Sequence, residues 1–257
     1  MKLSIVIPAY NEEARLLPML EAYTRYFTGR YGGEVEFIVV VNGSADRTEE
    51  IARDFARTCR QLKVVVEPAK IGKGGAIMLG FEKAAGDLVG FVDADNSTPP
   101  EAYQDLVEHL GDAGAIIASR WRKESKVSPR QPASRLIASR VFNAMVRALF
   151  KLKISDTQCG AKVIRRESVQ KVMPQLGVTR WAFDVDLLFQ LRRAGCRIVE
   201  WPTTWREVGG SRLRIVTVSV EMFLAICRLR LLYSPFRCVV TAYDRTFGRV
   251  VHLKHET

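Results

Sequence analysis

Four short apolar runs, Leu3 to Ile7, Val35 to Val41, Leu62 to Val66 and Leu88 to Val92, recur along the first part of the chain. They are compact and rich in β-branched residues, as strands buried on both faces of a parallel sheet are. Between them, Glu12 to Phe27, Asp46 to Cys59 and Gly74 to Ala85 carry helical spacing. The βαβαβαβ order predicts a doubly wound α/β sheet with its site at the carboxyl ends of the strands. Polar and glycine-rich stretches stand at those ends: Pro8 to Glu12, Asn42 to Asp46 and Asp93 to Ser97.

A chain of 257 residues, 47% hydrophobic, suits one sizeable domain with a small appendage. Its formal charge of +11 calls for an anionic partner, whether nucleic acid, an anionic membrane or a phosphorylated substrate. The five cysteines are dispersed and never at CxxC spacing, which predicts neither a disulfide framework nor a zinc site and fits a reducing cytosol. The amino terminus enters a strand pattern directly, unlike a signal peptide. No apolar run approaches the roughly 20 residues needed to span a bilayer. Ile215 to Leu232 comes nearest and is broken by Glu221, Arg228 and Arg230. A cytoplasmic protein with peripheral membrane association is the expectation.

The second half is different in character. From Arg120 to Lys153 the chain is heavily basic, with Glu124 its only acid, and this stretch supplies most of the net charge. Leu136, Ile137, Val141, Phe142, Met145, Val146, Leu149 and Phe150 recur there at helical spacing beside arginines. Residues 120–153 and 216–233 thus read as amphipathic segments, either core helices with a solvated basic face or helices lying in a membrane interface. Residues 234–257 form a basic tail without periodicity.

Asp93, Ala94 and Asp95 follow the fourth apolar run directly, ahead of Thr98, Pro99 and Pro100. Two carboxylates one residue apart at a strand end can converge on a hard divalent cation, Mg²⁺ or Mn²⁺, with phosphate oxygens and water completing the shell. Such an ion would offset charge on a diphosphate leaving group. A helix N-cap is the plainer account of Asp95 or Ser97.

SIVIPAYNE (Ser4 to Glu12), VNGSADRT (Val41 to Thr48) and KIGKGG (Lys70 to Gly75) precede that triplet in a set order. In this combination residues 1–233 resemble glycosyltransferase family 2, which implies a single Rossmann-like GT-A domain with a mainly parallel sheet and peripheral amphipathic helices. SDTQCGAK (Ser155 to Lys162), RWAFDVDLL (Arg180 to Leu188) and WREVGGSRL (Trp205 to Leu213) narrow the likeness to the dolichyl-phosphate glucose synthases and their polyprenyl-phosphate relatives. Gln175 stands at the wrong distance from Arg180 and Trp181 for the QxxRW motif of processive synthases, which argues against polymerisation.

The resemblance implies a nucleotide-sugar donor and a polyprenyl-phosphate acceptor at a membrane surface, with no nucleic acid. It places Pro8, Ala9, Tyr10, Glu12, Asn42, Ser44 and Asp46 around the base and ribose, and Lys73 near the donor phosphates. Asp93 and Asp95 would hold the metal and diphosphate. Asp156 would lie near the sugar and acceptor, and Arg120, Arg135 and Ser139 at the acceptor phosphate. Many relatives have two adjacent acids where this chain has Val41 and Asn42, and glycine or glutamine where it has Asn96 and Ser97.

A sugar hydroxyl needs a positioned general base. A phosphate monoester, largely dianionic at pH 7, chiefly needs cations to position it. None of the three histidines falls in a motif. The expectation is therefore inverting, metal-dependent transfer of glucose from UDP-glucose to polyprenyl phosphate. Alternatives are GDP-mannose as donor, a soluble hydroxyl acceptor with Asp156 or Asp184 as base, or a non-catalytic basic module. The last is disfavoured because aromatics do not interleave with the basic residues.

Overall fold

A computed structural model describes residues 2–129, 133–177, 182–207, 215–235, 238 and 240. Strands β1 (Leu3–Ala9), β2 (Val35–Asn42), β3 (Leu62–Glu67) and β4 (Leu88–Val92) alternate with helices α1 (Leu16–Tyr31), α2 (Thr48–Thr58) and α3 (Gly72–Lys83). After them come α4 (Pro100–His109), β5 (Ala115–Ser119), β6 (Lys126–Ser128), α5 (Ala133–Phe150), β7 (Ala161–Arg165), α6 (Arg166–Val172), α7 (Phe183–Arg193), β8 (Ile198–Pro202), β9 (Thr204–Arg206) and α8 (Ile215–Leu232).

Seven strands make one sheet in the order β3-β2-β1-β4-β7-β5-β8, and β6 pairs with β9 in a small second sheet. In the large sheet β1 to β4 are parallel, and β8 is parallel to β5. Strand β7 runs antiparallel to both neighbours.

Alternation along the strands divides the interior into two layers. Leu3, Ile5 and Ile7 pack with Met19, Tyr23 and Phe27 of α1 and with Tyr103 and Leu106 of α4. Val6, Ile38 and Val40 point the other way, onto Ala76, Ile77 and Phe81 of α3 and Phe183, Leu187 and Leu191 of α7. All eight residues of β2 are buried, Glu36 and Asn42 among them, and the run Phe37 to Val41 between those two is continuously apolar rather than alternating. Burying one such large side chain contributes about 1.5–3 kcal/mol.

The basic stretch 120–153 is not one helix. Arg120 begins a turn, Lys126–Ser128 forms a strand, and the helix occupies Ala133–Phe150. Phe142, Val146 and Phe150 of α5 pack with Val185 and Leu188 of α7 and with Ile226 and Leu229 of α8 in a third cluster. Both amphipathic helices are therefore fixed to the domain by one face. Much of the tail, 241–257, lies outside the described residues, as do Arg180, Trp181 and residues 208–214 of the quoted motifs.

Parallel strands deliver their carboxyl ends to one edge of the sheet. Because β7 is antiparallel, the loop entering it, residues 155–160, reaches that same edge, with Ala161 paired to Val92. Strand β5 ends there at Ser119, and Arg120 follows it directly.

Candidate active site

The loops after β1 and β2 are laced together. Asn11 N donates to Ser44 Oγ (3.1 Å), Glu12 N to Thr48 Oγ1 (2.7 Å) and Glu13 N to Asp46 Oδ2 (3.1 Å), while Ala45 N donates to Asn11 Oδ1 (2.9 Å). Asp46 also accepts from the Thr48 amide (3.0 Å), and these bonds hold its carboxyl below the ordinary range despite partial burial. Ser44 and Asp46 thus fasten the loop after β2 to the loop after β1. Buried Asn42 donates to Ala9 O (3.2 Å), closing the gap between the ends of β1 and β2 beside Pro8. Tyr10 stands in solvent with Lys70 Nζ on its hydroxyl (2.9 Å).

Glu12 is gripped by Arg15 through Nε and Nη2, both at 2.7 Å. Burial pushes its carboxyl up, Arg15 pulls it back, and the charges of Asp95 and Asp93 add to the rise. Glu12 therefore belongs to the same electrostatic neighbourhood as the acidic triplet.

Lys73, in the first turn of α3, reaches across to Asp93 Oδ1 at 2.5 Å. The pair is about one-third open, at 36% for each side chain. Asp93 N donates to Gly160 O (3.2 Å), so the β4 exit and the loop into β7 are joined through the backbone at Asp93. A Cβ at Gly160 would lie 1.9 Å from Asp93 Oδ2, so no other residue fits without moving the acid. Asp95 Oδ1 accepts the Ser97 amide (2.9 Å) in a tight turn, with Asn96 at φ 58°. No described group hydrogen-bonds its second oxygen. Asn96 Oδ1 and Gln158 Nε2, on the two joined loops, are sealed from solvent without a described partner.

Asp156 is fully buried. It accepts from Arg120 Nε (2.8 Å), Arg120 Nη2 (2.9 Å) and the Arg120 amide (2.9 Å), which together hold its carboxyl below the usual range against burial. Arg120 Nη1 has no described hydrogen-bond partner, and Trp205 lies under the guanidinium at 5.6 Å. Glu200 takes the amides of Ser155 (3.0 Å) and Asp156 (2.9 Å), which orients the loop. Asn143 of α5 accepts the Thr157 amide and hydroxyl, both at 3.0 Å, tying the basic helix to it. Arg135, at the start of α5, pairs with Glu207, and Ser139 O accepts from Asn143 Nδ2 (3.0 Å). Burial pushes the Cys159 thiol up to about 12, so it stays protonated and inert.

The structure thus gathers Lys73, Asp93 and Asp95 where β4 ends, with Glu12 near them, and Asp156 with Arg120 where β5 ends, two strands along the same edge. Arg135 engages Glu207 instead. Sequence reasoning missed Glu200, Glu207 and the steric need for Gly160. Gly160 and Glu207 both stood inside quoted motifs, SDTQCGAK and WREVGGSRL, without a role assigned, whereas Glu200 carried no motif signal. Among the described residues no three His, Cys, Asp or Glu side chains converge to hold a cation unaided.

An open, mostly parallel sheet with such loops gathered at one carboxyl edge defines an α/β domain of the doubly wound type. Residues 4–173 match the profile of Glycosyl transferase family 2. A Trichomonas vaginalis protein named dolichyl-phosphate beta-glucosyltransferase ALG5A is 33% identical over 223 residues, 83% of this chain and 68% of that protein. Another from the same organism, ALG5C, is 31% identical over 82% of this chain, which spans only 66% of it. The Saccharomyces cerevisiae dolichyl-phosphate beta-glucosyltransferase is 28% identical over 90% of this chain and 75% of its own. Glucosyl-3-phosphoglycerate synthase of Mycobacterium tuberculosis, crystallised with Mn²⁺, UDP and glucosyl-3-phosphoglycerate, shares the fold with a TM-score of 0.66 and 21% identity, over 88% of this chain and 80% of that one. The chain belongs to glycosyl transferase family 2, in its GT-A fold.

Proposed function

We propose that this transferase moves glucose from UDP-glucose to a polyprenyl phosphate of the dolichyl type, inverting the anomeric carbon. The relatives named dolichyl-phosphate beta-glucosyltransferases support the sugar and the acceptor. The observation that carries the acceptor class is the state of the carboxylates. Asp156 is bound three times by Arg120, and Asp184 is buried against Lys162 at 2.6 Å. Neither is poised to take a proton from a hydroxyl, whereas a phosphate dianion needs none removed.

In this reading Arg120, its Nε edge fixed by Asp156, turns Nη1 to the acceptor phosphate, and Arg135 exchanges Glu207 for the same anion beside Ser139. A phosphate oxygen forms the bond to the anomeric carbon as the bond to the diphosphate breaks, and the electron pair leaves with UDP. Pro8, Ala9, Tyr10, Asn42, Ser44 and Asp46 border the base and ribose. Lys73 neutralises the leaving diphosphate.

The donor set suits a hard cation, because the second oxygen of Asp95 is uncommitted and Asp93 is one-third open. Asp95, with Asp93, would hold Mg²⁺ or Mn²⁺, and the bound ion would supply charge to the leaving diphosphate. Residues 1–233 make the catalytic domain in this assignment, with 234–257 a basic tail. No described helix is long and apolar enough to cross a membrane. Exposed Ile137 and Val141 of α5, with Val220, Phe223 and Leu224 of α8, would rest on the cytoplasmic membrane surface.

The test supplies labelled UDP-glucose or GDP-mannose with polyprenyl phosphate, Mn²⁺ or EDTA. Butanol-extractable, acid-labile glucose formed only with metal is expected. Transfer solely to water-soluble acceptors, or from GDP-mannose in preference, would sink the assignment, and turnover surviving complete metal removal would sink the metal.

A further inference from the structure

Lys162 is a charged residue in the middle of a sheet. It sits on β7 opposite Phe91 of β4, wholly out of solvent. Its Nζ donates to Asp184 Oδ1 (2.6 Å) in the first turn of α7 and to Cys159 O (2.8 Å), and lies 5.2 Å from the Phe91 ring centroid. Lys73 Nζ lies 5.7 Å from the same ring. Two lysine–aspartate pairs therefore share one aromatic ring, the Lys73–Asp93 pair open to ligand and the Lys162–Asp184 pair sealed.

Both partners of the sealed pair are connected to the open one. Cys159, whose carbonyl Lys162 holds, precedes Gly160, which accepts the Asp93 amide and leaves no room for a Cβ beside its carboxylate. Asp184 follows Phe183, whose ring packs so closely on α3 that a Cβ at Gly74 would lie 2.5 Å from it. Gly74 is the residue after Lys73. The sealed pair thus ties the loop that seats Asp93 to the helix that abuts the backbone of Lys73.

We propose that Lys162 and Asp184 are positioning residues for the donor diphosphate, setting the relation of Lys73 to Asp93 from beneath without touching substrate. A buried ion pair is a weak source of stability, and apolar side chains of like volume often replace such pairs without loss. Its presence here answers to geometry at the donor end.

The inference rests on the donor-site reading above. The experiment compares wild type with the Lys162→Met/Asp184→Leu double variant and the Lys162→Met single variant. It measures Tm, KM for UDP-glucose, KM for polyprenyl phosphate, kcat, and UDP binding with Mn²⁺ by calorimetry. The single variant strands a buried carboxylate and lowers Tm. The double variant is expected to regain the wild-type Tm while kcat/KM for UDP-glucose stays down by roughly a hundredfold, the scale of a small misplacement of reacting groups. UDP affinity falls with it, and KM for the acceptor is unchanged. A double variant that regains Tm and donor kinetics together overturns the proposal. If it does not fold, Asp184→Asn decides, a raised donor KM supporting the proposal and an unchanged one overturning it. Wild type that neither binds UDP nor uses UDP-glucose would overturn the donor-site reading itself, a different failure from an active wild type matched by its variants.

Discussion

The carboxylate of Asp156 meets the guanidinium of Arg120 edge to edge, with Nε to Oδ2 at 2.8 Å and Nη2 to Oδ1 at 2.9 Å. The pair is nearly closed to solvent, with Arg120 15% and Asp156 0% exposed. Removing one charge leaves the other buried without a partner, at a cost of about 3–5 kcal/mol. Asp156→Asn should therefore lower stability in chemical denaturation. It should raise acceptor KM by roughly 10- to 100-fold, the worth of one charge-assisted hydrogen bond, with donor KM little changed. The pH dependence of stability follows in sign. The folded carboxyl is held below its ordinary 3.8, so its contribution is complete above that value and disappears as pH falls through the lower, folded one. The acid limb of the stability curve should be shallower in Asp156→Asn than in wild type.

Arg135 offers the cleaner probe of the acceptor. Its pair with Glu207 is partly open, at 31% and 23% exposed, and such pairs are worth about 0–1 kcal/mol. Arg135→Ala should leave the denaturation midpoint close to wild type and raise acceptor KM, whereas Arg120→Ala should damage both. Arg135→Lys should restore only part of the loss, because an ammonium cannot bind phosphate through two parallel donors. Equal donor and acceptor effects in Arg135→Ala would remove it from the phosphate site.

Gly160→Ala places a methyl group where Asp93 Oδ2 now lies, 1.9 Å away. The carboxylate has to swing off Lys73, so donor kcat/KM should fall by roughly a hundredfold. Gly29→Ala is the control. Nothing lies within 4 Å of its Cβ position in α1, and it should be neutral or stabilising by about 0.5–1 kcal/mol. Initial rates and Tm for the two variants test the contrast.

Much of the β1 to β4 half of the fold was legible because its signals are local. The β4 exit was placed to the residue, Leu88 to Val92 forming the strand that the apolar run predicts. Strand β7 escaped detection. Ala161 to Arg165 carries two basic residues in five, and only long-range pairing with β4 and β5 shows that Lys162 is interior. The Asp156–Arg120 clamp was hidden for a similar reason. Each residue was singled out for its own chemistry, while their bond spans 36 positions and depends on β5 and β7 lying side by side. Helical spacing located α5, but the charge run extending upstream of it continued into a turn and β6, since charge alone does not define a helix.

Helices α5 and α8 each carry a second apolar face that the core does not use. Ile137 and Val141 are four residues apart on α5 and 62% and 52% exposed, while Phe142 and Val146 point into the body. On α8, Val220, Phe223 and Leu224 share an outward stripe, and Ile226 and Leu229 are buried. Inserting one such side chain into a lipid interface yields about 1.5–3 kcal/mol, and anionic headgroups attract the nearby arginines. Ile137→Ser/Phe223→Ser should therefore reduce sedimentation with vesicles of mixed neutral and anionic phospholipid by on the order of a hundredfold. Tm should hold, because neither residue packs in the core. Turnover with a short, water-soluble polyprenyl phosphate should also hold, since neither residue is at the sheet edge that carries Arg120 and Asp93, the proposed substrate site. Unchanged vesicle binding would show that the membrane is held elsewhere. Loss of turnover with the soluble acceptor would instead bring these faces into the acceptor site.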